Sequence, residues 1–297
     1  MTGIRRHRSS GSRTAKAKRS GSSPSRTALV CAGGGVTGAV YQIGALRALE
    51  ELLGRSALDF DIYVGVSGGA FVASLLAHGI SPREMYEEAT AQAHTPLGID
   101  GSDLYRLDLE ELLGRTARAP RILFDALREA ITGRPGDSSP FELLPAGLMA
   151  NSGVREYLEK RFAARGHNDR FEDLARELYV IAVDLDRGEP IAFGEPSHRD
   201  LPVSLAVQAS TALPGLYQPV RIGGRDYVDG GVQKTAHINR AIQHGADLII
   251  CINPIVPILN DPDNGPLGGH LAKRGMTHVL DQVTAVQDRT GFAAALP

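Results

Sequence analysis

Cysteine and long apolar runs are both scarce in this sequence. Its 297 residues include two cysteines, Cys31 and Cys251. That number is too small for a disulfide framework, and the nine histidines are scattered without metal-ligand spacing. No run of eighteen apolar residues occurs, so we expect no membrane-spanning helix. These absences predict two buried thiols in a reducing, cytoplasmic compartment, with no metal and no cofactor.

Acidic residues are missing from the first 26 positions, which hold eight Lys and Arg. The remaining 271 residues carry 24 basic and 34 acidic side chains, a formal −10. We predict residues 1–26 to be a disordered basic tail. Solvation alone accounts for such a tail, and weak peripheral contact with an anionic membrane is the alternative. We expect no nucleic-acid partner, and the sequence does not indicate an oligomeric state.

The length and the 42% hydrophobic content suit one large α/β domain, which we place at residues 27–259. Within it, residues 94–152 show a looser pattern interrupted by Gly and Pro, which predicts a helical insertion. That insertion is a lid, an acyl-chain channel or a set of ordinary packing helices. Residues 260–297 read as an irregular segment that becomes weakly helical.

A glycine run follows the first predicted strand. Residues 27–32 form an apolar β-type segment, then Gly33-Gly34-Gly35-Val36-Thr37-Gly38 leads into a helix predicted over residues 39–53. Unpaired N–H groups before a helix N-terminus make an anion-binding turn. The glycine pattern also fits Gly-x-Gly-x-x-Gly, the fingerprint of enzymes that bind a nicotinamide or flavin dinucleotide. However, Asp59 and Asp61 lie at the start of the second strand, whereas a ribose-binding acid should lie at its end.

A serine occupies the next strand-to-helix turn. The run Ile62 to Val66 enters Gly65-Val66-Ser67-Gly68-Gly69, and a helix is predicted over residues 70–78. This order fits a nucleophile elbow with Ser67 as the nucleophile. Because adjacent parallel strands deliver their turns to one sheet edge, we expect the glycine run to face Ser67.

Two further segments complete an ordered set: Ala209-Ser210 through Pro219, and Asp229-Gly230-Gly231. Together with the two glycine turns, they closely resemble the patatin-like phospholipase family over about residues 27–255. The resemblance implies a three-layer α/β/α sandwich with a mainly parallel sheet and lipid acyl hydrolase activity through a Ser-Asp dyad.

Carried over by position, the resemblance makes Ser67 the nucleophile and Asp229 its partner. Backbone amides of Gly33, Gly34, Gly35 and Gly68 would form the oxyanion hole. The other motif glycines are Gly38, Gly65, Gly69, Gly230 and Gly231. The expected substrate is a lipid acyl ester, and burial of Asp229 would raise its pKa toward that of a useful base.

Alternatives remain at this stage. Asp229 alone is explained by capping of the following turn, and an α/β-hydrolase triad can be written as Ser67, Asp184 and His237. Thr37 stands where the family usually has Arg or Lys, which weakens anion stabilisation. A lipid-binding module with this fold and little or no turnover is therefore the third interpretation.

Overall fold

A computed structural model of the chain describes residues 25–91, 106–107, 128, 146–255, 260–263, 269–274, 279 and 282. Within these residues the strands are β1 (Thr27–Cys31), β2 (Ile62–Val66), β3 (Arg106–Leu107), β4 (Gly147–Ala150), β5 (Glu177–Asp184), β6 (Glu189–Phe193), β7 (Gly215–Tyr217), β8 (Val220–Ile222), β9 (Arg225–Asp229) and β10 (Leu248–Ile252). The α-helices are α1 (Gly35–Leu53), α2 (Gly68–Ala77), α3 (Pro82–Ala91), α4 (Ser152–Ala164), α5 (Val203–Ser210) and α6 (Ile238–Gln243). Short 3₁₀ turns lie at Phe171–Asp173, Gly230–Val232 and Leu271–Arg274.

The main sheet has the strand order β10-β1-β2-β5-β9-β8, with β6 also paired to β5. The pairs β10/β1, β1/β2 and β2/β5 are parallel, whereas β6, β8 and β9 pair antiparallel with their neighbours. A second, small sheet contains β3, β4 and β7. The sheet is thus mainly parallel at its centre and antiparallel toward one side, which agrees with the predicted fold class.

Helices cover the two faces of the main sheet. Alternate strand residues such as Leu29, Tyr63 and Val180 pack on one face against α1, α2, α4 and α5. The residues between them, such as Val30 and Val64, face α6 on the other side. Strands buried on both faces are apolar at every position, as β1 and β2 are here. The result is a three-layer α/β/α arrangement.

One edge of β5 is shared by two strands that run toward each other. The residues of β5 from Glu177 to Ile181 pair with β2, and those from Ala182 to Asp184 pair with β9. The strand β6 pairs with residues from both stretches and therefore occupies the opposite edge of β5. Because β2 runs parallel to β5 and β9 antiparallel, their carboxyl ends meet at neighbouring positions of β5.

Several local predictions differ from the structure. Helix α1 begins at Gly35, four positions before the predicted start, because the glycine run supplies its first turn and the Gly38 N–H donates to the Gly34 carbonyl at 2.8 Å. The stretch 94–152 is not helical throughout: strands β3 and β4 lie within it. Its other residues, apart from Arg128, Ala146, Asn151 and Ser152, lie outside the described ranges.

The predicted termini are described only in part. Arg26 belongs to the folded body and not to the basic tail, because its guanidinium donates to the Glu177 carboxylate at 2.6 Å and to the His244 carbonyl at 2.7 Å. The other basic positions of the tail lie outside the described residues, as does most of 260–297. No helix in the described part of the chain has the length and apolar character needed to cross a bilayer.

Candidate active site

Ser67 lies in a strained turn between β2 and α2. Its φ is 52° and its ψ is −127°, and among the described residues it is the one non-glycine residue with a positive φ. The chain turns so tightly that a Cβ at position 65 would lie 2.5 Å from the Cα of Ala70, and one at position 69 would lie 2.2 Å from the Cys31 carbonyl oxygen. Such strain concentrates at functional sites. Gly65 and Gly69 therefore permit the elbow that the sequence predicts.

The Ser67 hydroxyl lies beside the carboxylate of Asp229 and, as a potential hydrogen-bond donor, lowers the pKa of that carboxyl. The strand registers explain how residues so distant in sequence meet: Val66 pairs with Ile181, and Asp229 pairs with the adjacent Ala182. The last residue of β9 thus lies beside the end of β2, where Ser67 follows. The structure brings these two predicted site residues into direct contact.

Burial gives Asp229 an unusual protonation equilibrium. The side chain is 3% exposed, and removal from water raises its pKa from the ordinary 3.8 to about 6, against the lowering effect of hydrogen bonds from Ser67 and the Gly231 N–H. The Gly231 bond, 2.7 Å long, also caps the Gly230–Val232 turn. The capping interpretation of Asp229 is therefore correct, and the same carboxylate additionally contacts Ser67.

Ser210 holds the backbone of Ser67, a contact that the sequence analysis did not assign. Its hydroxyl accepts the Ser67 N–H at 2.9 Å and donates to the Ile181 carbonyl at 2.6 Å. Gly230 lies close to the same carbonyl, since a Cβ there would approach it to 2.5 Å. Ser210 therefore satisfies two buried backbone groups where β2, β5 and β9 meet. The signal in the sequence was its place in the Ala209-to-Pro219 motif.

The glycine run faces the serine turn, as predicted. A Cβ at Gly33 would lie 3.6 Å from Cβ of Ser67, and one at Gly68 would lie 2.2 Å from the Gly35 carbonyl oxygen. Within the described part of the chain, no hydrogen bond uses the N–H groups of Gly34, Gly35 or Gly68. The N–H groups of Gly34, Gly35 and Gly68 therefore have no acceptor among the described residues.

Gly33 has to be removed from the predicted oxyanion hole. Its N–H donates to the Thr235 carbonyl at 2.9 Å, so it is already paired when substrate is absent. Gly38 contributes close packing and no donor: a Cβ there would lie 3.0 Å from the Pro254 ring, and its N–H bonds within the turn. Neither glycine therefore offers a free N–H to an oxyanion.

Thr37 does not replace the missing cation of the glycine motif. Its exposed side chain reaches the Gly34 carbonyl through the hydroxyl at 3.4 Å, and the first turn of α1 has no acidic side chain. Positive potential at this turn comes from the backbone dipoles of the helix N-terminus.

The structure does not assemble the histidine triad. The Asp184 carboxylate accepts from the Arg225 guanidinium at 3.1 Å and from the Arg187 N–H at 3.2 Å. His237 bonds to the Lys234 backbone. Burial, with help from Lys234 and Arg240, lowers the pKa of His237 to about 4, so the ring is neutral. Ser67, Asp184 and His237 therefore have separate partners.

The dinucleotide alternative also lacks its acidic residue. The Asp61 carboxylate accepts the Thr27 N–H at 2.8 Å, where β1 begins, at the sheet edge opposite to Ser67. A ribose-binding acid belongs at the carboxyl end of the second strand. No group of three or more metal-ligating side chains occurs among the residues that the structure describes.

Comparison with known proteins supports the resemblance seen in the sequence. The sequence model of the family described as "Patatin-like phospholipase" matches residues 29–242. "Probable lipid hydrolase 463L" of Invertebrate iridescent virus 6 is 22% identical over 73% of this chain and 63% of its own length. Protein YjjU of Escherichia coli is 26% identical over 78% of this chain and 53% of its own length.

Among solved structures, VipD of Legionella pneumophila aligns with a TM-score of 0.40 and 18% identity, over 77% of this chain and 50% of VipD. The chain thus spans roughly half to two thirds of the proteins named here, 63%, 53% and 50% of their respective lengths.

Proposed function

This chain belongs to the patatin-like phospholipase family, and on that premise we propose that it is a serine acyl hydrolase that cleaves lipid acyl esters. Ser67 is the nucleophile and Asp229 the general base of a two-residue site. The observation that carries this proposal is the placement of a strained elbow serine, at the end of β2, beside a buried carboxylate of raised pKa at the end of β9. The free amides beside them supply the third requirement of acyl transfer.

In the first half of the reaction, the Ser67 Oγ attacks the ester carbonyl carbon while its proton passes to the Asp229 carboxylate. The carbonyl π pair moves onto oxygen, and this oxyanion accepts hydrogen bonds from the N–H groups of Gly34, Gly35 and Gly68. The tetrahedral species then expels the alcohol, which takes the proton from Asp229. An acyl-Ser67 ester remains.

In the second half, water attacks the acyl-Ser67 carbonyl and gives its proton to Asp229. The second tetrahedral oxyanion uses the same three donors. Its collapse breaks the bond to Ser67, and the Asp229 proton returns to the Ser67 oxygen. The products are a fatty acid and the original alcohol, and the enzyme is regenerated.

Each backbone donor has a large effect because it is fixed before the charge develops. Loss of one oxyanion-hole donor typically costs about 2.7–4 kcal/mol of transition-state stabilisation. The donors here belong to the N-terminal turns of α1 and α2, so the helix dipoles also favour the negative oxygen. These contributions support turnover even though Thr37 carries no charge.

Covalent labelling with a fluorophosphonate tests the nucleophile. We expect Ser67 to be labelled and the Ser67→Ala variant to be unreactive in labelling and in hydrolysis of acyl esters. Ser74→Ala is the matched control, because Ser74 is another buried serine, lies inside α2, and donates its hydroxyl hydrogen bond to the Phe71 carbonyl of that helix. A protein that binds lipid but neither reacts nor hydrolyses any ester would be a lipid-binding module, and the proposal would be wrong.

The base is tested separately. Asp229→Asn should abolish hydrolysis, because an amide cannot accept the Ser67 proton, whereas His237→Gln should leave turnover near the wild-type rate. Loss of activity in His237→Gln with retained activity in Asp229→Asn would instead favour the histidine triad. Hydrolysis of short and long acyl esters by the wild type would then define the substrate class.

A further inference from the structure

Gln42 is a buried polar residue on the apolar side of α1. Its side chain is 0% exposed, while its helical neighbours Ile43 and Leu46 belong to the hydrophobic core. The amide Nε2 donates to the carbonyl of Ala32 at 2.6 Å. The amide Oε1 has no hydrogen-bond partner among the described residues. A polar group in this position costs stability, so a role beyond packing is needed to explain it.

The peptide unit between Ala32 and Gly33 is held at both ends. Gln42 holds its carbonyl oxygen, and the Thr235 carbonyl accepts its N–H at 2.9 Å. Because a peptide unit is planar, two bonds on opposite sides of it fix the direction of the plane. The following residue, Gly34, starts the turn that carries the free donors.

This peptide is the last one before the donors that is held on both sides. Gly34 has a φ of 151° and Gly35 a φ of 59°, and consecutive glycines have the greatest backbone freedom of any sequence. The direction in which the Gly34 N–H points therefore depends on how the chain enters the turn, whereas the peptide that carries the Gly35 N–H is also held by the Gly38 N–H on the Gly34 carbonyl. Gly33 sets that entry and lies in contact range of Ser67.

We propose that Gln42 is a positioning residue for the oxyanion hole: it fixes the Ala32–Gly33 peptide and thereby aims the next amide, that of Gly34, at the developing oxyanion. The inference rests on the proposed hydrolase function. It predicts that Gln42 acts on the transition state and leaves substrate binding nearly unchanged, because misaimed donors affect the charged oxygen far more than the neutral ester.

Gln42→Met tests the idea, because methionine has a similar shape and no donor. Tyr63→Phe is the matched control: Tyr63 is also 0% exposed and also donates to a backbone carbonyl, that of Ala57 at 2.8 Å, but it lies at the other end of β2. We expect kcat of Gln42→Met to fall roughly 10- to 100-fold with KM changed less than about twofold, and kcat of Tyr63→Phe to stay near wild type.

A trifluoromethyl ketone gives a second readout, because its adduct with Ser67 carries the oxyanion. Its affinity for Gln42→Met should fall by about the same factor as kcat/KM. Equal kcat losses in Gln42→Met and Tyr63→Phe, or an unchanged kcat in Gln42→Met, would overturn the proposal.

Failure of the hydrolase proposal gives a different pattern. In that case the wild type itself neither hydrolyses esters nor reacts with fluorophosphonate. Amide hydrogen exchange of Gly33 then tests the positioning alone: its protection should drop at least about tenfold in Gln42→Met, because the peptide loses one of its two anchors. Unchanged protection of Gly33 would contradict the inference whatever the activity.

Discussion

Asp229→Asn should stabilise the protein at neutral pH while it abolishes catalysis. In the folded protein, burial raises the pKa of Asp229 from 3.8 to about 6, and each unit corresponds to about 1.4 kcal/mol. An ionised Asp229 therefore costs the fold about 3 kcal/mol relative to a neutral side chain of the same shape. Asparagine keeps an oxygen for the Gly231 N–H and places an amide beside Ser67.

The sign of the pH dependence follows from proton binding. Between the unfolded pKa of 3.8 and the folded value of about 6, the folded state holds a proton that the unfolded state has lost. The contribution of Asp229 is therefore fully present below pH 3.8 and disappears as pH rises through about 6. The variant should match the wild type below that window and exceed it by up to about 3 kcal/mol above it.

Urea unfolding at a series of pH values measures this difference. Asp184→Asn is a control in which the stability change should have the opposite sign. Burial disfavours the charge of Asp184, but the hydrogen bonds from Arg225 and Arg187 outweigh burial and lower the pKa of this carboxyl. Its stabilising contribution is present at neutral pH and lost on acidification, so Asp184→Asn should be less stable than the wild type at pH 7. If Asp229→Asn loses stability across the whole range, the reasoning about the buried carboxylate is refuted.

Three other outcomes are expected. The kcat/KM for a neutral ester should rise with pH through about 6, where Asp229 loses its proton. A kcat/KM that stays constant from about pH 4 to about pH 8 would contradict the role of Asp229 as base. Gly68→Ala should abolish fluorophosphonate labelling of Ser67, because the new Cβ would lie 2.2 Å from the Gly35 carbonyl oxygen. Gly44→Ala in the middle of α1 is its control: a Cβ there meets nothing within 4 Å, so the free energy of unfolding should rise by roughly 0.5–1 kcal/mol. Ser210→Ala should lower the unfolding free energy by about 1–3 kcal/mol in urea titrations and slow labelling, because it leaves two buried backbone groups unpaired; unchanged labelling would show that the Ser67 backbone does not need this bond.

The local parts of the site were predictable from the sequence. An apolar strand, a glycine-flanked serine and an apolar helix follow each other within residues 62–78, and each step depends on neighbours along the chain. A capping box at the start of α3 is a local signal of the same kind: Ser81 and Glu84 are three positions apart, and the Glu84 carboxylate accepts the Ser81 N–H at 2.8 Å. A glycine pair between two short strands is a local hairpin signal as well, and β8 pairs antiparallel with β9 on either side of Gly223-Gly224.

The parts that depend on distant pairing were not predictable from pattern alone. The Thr235 carbonyl accepts the Gly33 N–H, although the two residues lie some two hundred positions apart in the sequence. This contact decides which N–H groups of the glycine run stay free. The roles of Ser210 and Gln42 likewise depend on which backbone groups the sheet brings near them. The place of Asp229 came from family resemblance, because nothing in its neighbourhood of the sequence points to Ser67.

Because β2 and β9 meet end to end on β5, their pairing with that strand sets the separation between Ser67 and Asp229. One strand residue measures about 3.3 Å, so a slip of either partner by a single pairing position would carry the carboxylate out of hydrogen-bonding range of the hydroxyl and turn its side chain to the opposite face. The loops and helices that join β2 to β9 can therefore lengthen, shorten or change composition during evolution while the reacting groups keep their separation.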